Sequence, residues 1–423
     1  MNNLSKKISR YGIIYLILVS AFSGLLILSA MLPHTRKFDS LMRRSARILS
    51  MGGDYPEING VTLDHCTDSL ILNIAYSFDS KQPVRSAMES NYLVEKQKLS
   101  TAVLLDMTNA KKADYTKHSY GRYWFGQSAV MKILHYVWHL NKIYTLYGSL
   151  VLLLSLIADL YAHKTAGSIG AFGLFTLLAL CNFQVFFQSL QYPPVICIGL
   201  AGLIWMCSQT DSGCRGQVFF TLGMLTAYFD LLTAPVLAFG IPALFICGKD
   251  FSRLELAEQK DWKSWVKIWC GYPSAWLAGY ILSWGTKILL GIVVSGDVQS
   301  VVGQIFLRVG TARGTQKISR WEAVLENFRV LYENTQLVLS VTVIVLALLL
   351  IVKIYDWKMR KLFFNHGLFC GYLMLALMPL AVIFLMANHT YIHSWMTYRG
   401  LALTFSTLVM SLTAFRPEKE TES

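Results

Sequence analysis

Residues Tyr11–Leu32 read YGIIYLILVSAFSGLLILSAML, without one charged side chain, and they follow directly on Lys6, Lys7 and Arg10. A hydrocarbon layer about 30 Å thick is crossed by about 20 apolar residues of helix, so this stretch predicts a membrane span. Its basic start resembles a secretory leader. The apolar run is long, however, and no small-x-small cleavage pattern stands out, so it reads as a retained first helix. The rest of the chain agrees: 54% of the 423 residues are hydrophobic, 13% are aromatic and 15% are charged, with a mean hydropathy of +0.44. Soluble domains carry about 25% charged residues, which excludes a soluble enzyme. Ordinary glycine and proline usage excludes collagen-like and low-complexity chains.

Scanning outward for comparable windows gives ten predicted spans: Tyr11–Leu32, Tyr144–Tyr161, Thr165–Phe183, Pro194–Cys207, Gln217–Thr233, Pro235–Cys247, Trp265–Val294, Gln336–Ile354, His366–Met386 and Arg399–Ala414. The expected fold is therefore all-α and polytopic, a single integral membrane domain over residues 1–423. With the N-terminus inside, the short segments at Lys164, Arg215, Lys249–Lys267, Lys353–Lys361 and Arg416–Ser423 all become cytoplasmic. Together with the N-terminus they hold 16 of the 38 Lys and Arg, while the outer turns at 184–193, near 234 and at 387–398 hold none. Short loops thus obey the positive-inside rule, and an even number of spans returns the C-terminus to the cytoplasm. More than half of the formal +13 charge lies in these cytoplasmic segments, so the basic balance reflects topology and implies no nucleic-acid partner.

Two long loops fall outside, Met31–Lys142 and Ser295–Thr335. Long loops translocate largely regardless of charge. Within the first, FDSLMRRSARIL (Phe38–Leu49) and HCTDSLILNIAYSF (His65–Phe78) have a helical period. They are expected as juxtamembrane amphipathic helices lying on the outer leaflet. Of eight cysteines only Cys66 lies clearly outside, and no CxxC pair, Walker motif, GxGxxG, HExxH or internal repeat is present. A disulfide framework, an ATPase, a dinucleotide-binding domain and a zincin are thereby excluded.

An ionisable group near a span is a functional candidate, and five groups stand out. Asp64 and Asp68, four residues apart at the start of an apolar run, suit a general base for an acceptor hydroxyl; equally, Asp64 suits a helix N-cap with Asp68 in the first turn. Arg122, Tyr123 and Trp124 lie in HSYGRYWFG, which reads either as an interfacial aromatic belt or as a corner for phosphate and sugar. Asp230 closes Tyr228-Phe229-Asp230 at the outer end of the fifth span, in a structural ion pair or facing a wet cavity. Lys287, inside the seventh, either snorkels outward or meets a lipid phosphate. His389, His393 and Arg399 open the last span; two histidines four apart could ligate a metal but lack an evident third ligand, and Arg399 reads as a phosphate contact or a snorkelling side chain. Arg313, in the second long loop, joins the cationic set. All of them fall on the extracytoplasmic side of the predicted topology, where nucleotide-sugars and ATP are absent.

This layout resembles the GT-C class of membrane glycosyltransferases, which use polyprenyl-phosphate-linked sugars. The class has a long first outer loop with an acidic catalytic residue and amphipathic helices, then a second long outer loop after the seventh span. The chain also looks like uncharacterised bacterial membrane proteins of surface-polysaccharide loci, through Thr67-Asp68, Tyr120-Gly121-Arg122-Tyr123-Trp124, Tyr228-Phe229-Asp230, Trp284-Gly285-Thr286-Lys287, His389-Thr390-Tyr391 and Tyr398-Arg399. Unlike several families of the class, it has no adjacent acidic pair, and Asp64 and Asp68 stand about thirty residues beyond the first span. The resemblance implies inverting transfer of a sugar from a polyprenyl-phosphate donor to a cell-envelope glycan or lipid, at the extracytoplasmic face of a bacterial plasma membrane. Asp64 or Asp68 would be the base; Arg122, Lys287 and Arg399 would hold the phosphate; aromatic side chains would hold the sugar. A divalent cation, Mg or Mn, shared by Asp64, Asp68 and Asp230 is compatible with this reading. A flippase or transporter of lipid-linked sugars and a polysaccharide polymerase or ligase are the alternatives. A transporter calls for polar groups at the bilayer midplane and for repeats, whereas here the polar groups gather at one face.

Overall fold

The computed structural model describes residues 3–111, 113–209, 213–256, 262–296, 312–313, 316–359 and 362–417. It is 79% helical. The chain opens with α1 (Asn3–Met31), and the first loop contributes α2 (Arg36–Gly52), α3 (His65–Tyr76), α4 (Pro83–Glu89), α5 (Ser100–Thr108) and α6 (Gly126–Leu134). There follow α7 (Leu140–Leu180), α8 (Pro193–Ser208), α9 (Arg215–Phe229), α10 (Val236–Leu256), α11 (Trp262–Val266) and α12 (Tyr272–Ser295). The chain ends with α13 (Arg320–Met359), α14 (His366–Leu385), the short α15 (Ala387–Ile392) and α16 (Ser394–Thr397), and α17 (Leu401–Ser411). Among the described residues, five helical stretches are long and apolar enough to cross a membrane: Ile8–Met31, Leu140–Leu180, Trp262–Ser295, Arg320–Met359 and His366–Leu385.

The longest of these stretches contains a chain reversal. Gly167 has φ +61° and ψ −151°, a conformation open to glycine but strained for other residues, and Ala166 beside it is also non-helical. A Cβ on Gly170 would lie 2.3 Å from the Ala162 carbonyl oxygen, and one on Gly148 would strike the Phe187 ring. Residues eight apart in a straight helix stand about 12 Å apart, so α7 is a helical hairpin. Its turn, at Ala166 and Gly167, falls at the very start of the second of the two windows that the sequence placed at Tyr144–Tyr161 and Thr165–Phe183. A second break, at Thr335 (φ −136°, ψ 22°), divides α13 just before the apolar window that starts at Gln336.

Packing between helices relies on close backbone approach as well as on side-chain volume. Gly223 of α9 and Gly279 of α12 face each other's helix so tightly that a Cβ on either would lie 2.0 Å or 2.1 Å from the carbonyl oxygen of Trp276 or Phe220. Small residues at such crossings let van der Waals contact hold helices together where lipid offers no hydrophobic gain. Two apolar clusters result. One joins the α7 hairpin to α8, α10, α14 and α17; the other joins α1, α9 and α12 to the helices of the first loop.

The first loop departs from expectation. Helix α2 is amphipathic, with Phe38, Met42, Ala46 and Leu49 buried and Arg43, Arg44 and Arg47 exposed. Its apolar face rests on α5, α3 and α7, and α3 is buried on nearly all sides. Both helices therefore sit on protein and not on the outer leaflet. A helical period marks an apolar stripe but does not say whether lipid or protein will cover it.

Four antiparallel two-stranded ribbons punctuate the helices: β1 (Glu57–Ile58) with β2 (Val61–Thr62), β3 (Asn91–Val94) with β4 (Thr116–Ser119), β5 (Ala312–Arg313) with β6 (Gln316–Lys317), and β7 (Leu362–Phe364) with β8 (Phe415–Pro417). The buried Arg215–Asp250 ion pair gathers the start of α9 and the end of α10, and Asp250 also accepts a hydrogen bond from the Tyr272 hydroxyl at 2.9 Å. Lys164, Lys249 and Arg253 lie around this pair. Three of the basic segments assigned to the cytoplasm, those at Lys164, Arg215 and Lys249–Lys267, are thus neighbours in space through Lys164, Arg215, Lys249 and Arg253.

Candidate functional site

The site begins with a helix cap. Asp64 precedes α3 and accepts hydrogen bonds from the backbone N–H and the hydroxyl of Thr67, both at 2.8 Å. The capping reading is therefore correct for Asp64. One turn later Asp68 is 1% exposed and accepts from the Tyr144 hydroxyl at 2.6 Å and from the Leu190 N–H at 3.1 Å. Those bonds tie α3 to the start of α7 and to the turn before α8. Burial pushes the Asp68 carboxyl up to about 8, against the pull of Tyr144 and Leu190, and the neighbouring Asp64 charge adds to the rise. Burial raises Asp64 as well, opposed by its Thr67 bonds and by Arg399, whose charge favours the ionised form.

Arg399, between α16 and α17, is 2% exposed. Its Nε donates to the Cys181 carbonyl at 3.2 Å and its Nη1 to the Trp395 carbonyl at 2.9 Å. The guanidinium carbon lies 3.9 Å from the Tyr192 ring centroid and 4.7 Å from that of Tyr398. Nη2 is buried and makes no hydrogen bond of good geometry, with the Tyr192 side chain its near polar neighbour. Snorkelling is excluded, because the head is enclosed by protein. A contiguous set of rings leads away from it: Trp395 lies 5.3 Å from Tyr55 and 5.0 Å from His393, and His393 lies 4.9 Å from His389.

His389 Nε2 is 3.0 Å from the Leu232 carbonyl, within the turn that Asp230 organises. Asp230 ends α9 and accepts from the Thr233 N–H at 3.2 Å, with the Thr233 side chain and the Leu232 and Ala234 backbone also turned toward its carboxylate. No ion pair to Asp230 occurs among the described residues, so the structural ion pair offered for it by the sequence is not seen. Between this turn and Ile383, Met386, His389 and Gly400 lies a cavity of about 20 Å³, room for a water but not for a sugar.

A second group is built differently. Lys287 is wholly buried, and its Nζ donates to the Met88 and Ala87 carbonyls at the end of α4. This is a cation on a helix C-terminus. Neither the phosphate contact nor the snorkelling expected of Lys287 is what the structure shows, because these carbonyls already engage the ammonium. Trp124 is buried too and donates from Nε1 to the Ser283 carbonyl at 2.9 Å, fastening the loop to α12 with no face left for a sugar. Tyr123 is buried beside Tyr120 and Trp284. Arg122 lies with its guanidinium carbon 3.8 Å from the Tyr120 ring centroid, its Nε buried and unpaired.

The structure therefore brings Asp64, Asp68 and Arg399 together, links His393 and His389 to them through Trp395, and leaves Lys287, Arg122, Tyr123 and Trp124 in a separate group on α12. For Arg313 the β5 backbone is described, while its side chain lies outside the described residues. Tyr55, Tyr144, Tyr192 and Trp395 belong to the first group and were missed. Their sequence signal, an aromatic residue near a span end, is shared by most interfacial residues. Among the described residues no three His, Cys, Asp or Glu side chains come together as metal ligands, including the trio Asp64, Asp68 and Asp230. No protein-family model matches the chain, no curated protein matches it, and no solved structure matches it.

Proposed function

We propose that the chain is a GT-C-type glycosyltransferase of the bacterial plasma membrane, crossing it ten times with both termini cytoplasmic. It moves one sugar from a polyprenyl-phosphate donor to a hydroxyl of a cell-envelope glycan or lipid at the extracytoplasmic face. The observation that carries this reading is a buried carboxyl, Asp64, within electrostatic reach of a buried guanidinium, Arg399, with no ion pair joining the two among the described residues and with Nη2 outside the well-formed hydrogen bonds of the guanidinium. A buried donor without a well-formed hydrogen bond costs about 1–3 kcal/mol, and a ligand oxygen would recover that cost.

The chemistry follows from the two groups. Asp64 takes the proton of the acceptor hydroxyl as its oxygen bonds to the anomeric carbon. The bond from that carbon to the phosphate oxygen breaks with inversion, and the electron pair leaves with the phosphate, whose growing charge meets Nη2 of Arg399. Tyr192 and Tyr398 fix the guanidinium plane, while Asp68 anchors α3 and so positions Asp64. The Asp64, Asp68 and Asp230 carboxylates do not share a ligand set, and no step is routed through a divalent cation.

The test is transfer from a radiolabelled polyprenyl-phosphate sugar by the protein reconstituted in liposomes, with envelope glycan from a deletion strain as acceptor. Asp64→Asn is expected to lose about 10²–10⁴-fold in rate at normal protein levels. Full activity in that variant sinks the base assignment. In the deletion strain itself, a missing side-branch sugar supports transfer, shortened chains indicate a polymerase, and donor stranded on the inner leaflet indicates a flippase.

A further inference from the structure

The β3–β4 ribbon carries a run of rings that the transfer described above leaves unused. Tyr92 and His118 are register partners with ring centroids 5.8 Å apart. Tyr120 lies 5.6 Å from Tyr92, Tyr123 5.7 Å from Tyr120, and Trp284 of α12 6.4 Å from Tyr123. The run begins in the open, since β4 is exposed along its whole length and Tyr92 and Tyr120 are only half-buried. It ends where Arg122 Nε and Trp284 Nε1 are buried without hydrogen-bond partners. Successive ring centroids 5.6–6.4 Å apart, with the Arg122 guanidinium stacked on the Tyr120 ring, suit a saccharide: its C–H faces pack on the exposed Tyr92 and His118 side and its hydroxyls accept hydrogen bonds from N–H donors at the inner end. A hydrocarbon tail would leave those donors unpaired. Tyr92 is also within electrostatic reach of Cys66, in the first turn of α3 two residues after Asp64, which gives the run a link from the Arg122 group toward the candidate site.

We propose that Tyr92, His118 and Tyr120, with Arg122 at their edge, form a platform that binds the pyranose units of a glycan and leads its hydroxyl toward Asp64. Its role in presenting an acceptor rests on the proposed transfer; glycan binding does not. Oligosaccharides released from the cell's own envelope by mild acid, and fractionated by size, are the probe. They are titrated without donor against the full chain in lipid nanodiscs.

Tyr92→Ala and Tyr120→Ala are each expected to weaken binding about tenfold, Tyr92→Phe to retain it, and affinity to fall as the oligosaccharide shortens. Absent binding by the native chain, or unchanged affinity in the Tyr92→Ala/Tyr120→Ala double variant, overturns the platform. Should the double variant fail to fold, His118→Ala, on the exposed strand, is expected to weaken binding about threefold, and unchanged affinity there overturns it equally. Asp64→Asn should abolish transfer and leave binding intact. Binding without any transfer by the native chain would retire the transferase reading alone. Transfer with undiminished glycan affinity in the alanine variants would retire the platform alone.

Discussion

Arg399 and Lys287 are both buried cations that a sequence places near the outer ends of spans, yet their surroundings differ in kind. Lys287 reaches the final carbonyls of α4, where the partial negative charge of a helix end answers its own. Arg399 also binds carbonyls, those of Cys181 and Trp395, but Nη2 of its fork makes no hydrogen bond of good geometry. It also has a carboxylate, Asp64, within electrostatic reach. A buried cation whose partners are all backbone is a fastening. One with a donor outside its well-formed hydrogen bonds and a carboxyl within reach has room in its bonding for a reacting anion.

That contrast can be broken experimentally. The largest effect expected is the loss of about 10²–10⁴-fold in transfer rate for Asp64→Asn, with the melting temperature little changed, because asparagine also caps helices. Next, Arg399→Gln should lower transfer by about 10²–10³-fold, read as turnover per folded molecule in liposomes. Lys287→Met should do the reverse. It orphans the α4 carbonyls and costs about 1–3 kcal/mol, seen as a lower midpoint of unfolding, while turnover per folded molecule stays within about twofold. Equal losses of turnover in the arginine and lysine variants would erase the distinction between the two regions.

The smallest effect concerns pH. Asp68 holds its proton up to about pH 8 in the folded chain because it is buried, whereas an unfolded carboxyl releases it near pH 4. A raised carboxyl contributes stability that is complete below the unfolded value and is lost as pH rises through the folded one. Thermal unfolding of the native chain should therefore worsen from about pH 4 to about pH 8, at a slope of at most about 1.4 kcal/mol per pH unit from this group. Asp68→Asn should flatten that slope. An unaltered slope would show that Asp68 is ionised in the fold and would return it to the list of bases.

Much of the fold could be read from runs of residues. The windows at Tyr144–Tyr161 and Thr165–Phe183 correspond to the two arms of the α7 hairpin, and the window at Gln336 begins at the Thr335 break. The candidate residues were harder. Asp64 was legible as a cap because its partner Thr67 is three positions away. Asp68 was not legible as a buried anchor, since Tyr144 and Leu190 lie 76 and 122 positions from it. The stripe of α2 was visible, but not that α5 and α7 would cover it. His389 and His393 were visible as a pair, and only their ring contacts with each other and with Trp395 place them beside Arg399.

The sequence by itself determined the features that physics reads locally. These are the apolar helices long enough to span a bilayer, the grouping of basic residues in short loops on one predicted side, and the cap at α3. Each depends on neighbours within a few turns and on the free energy of moving a side chain from water to lipid. Only the tertiary structure decided which buried cation ends on the carbonyls of a helix terminus and which lies within reach of a carboxyl, because both depend on contacts far apart in the chain. Arg399 meets Cys181 across 218 positions and Lys287 meets Met88 across 199. Whether such partners exhaust a cation's hydrogen-bonding capacity depends on how the helices close around it.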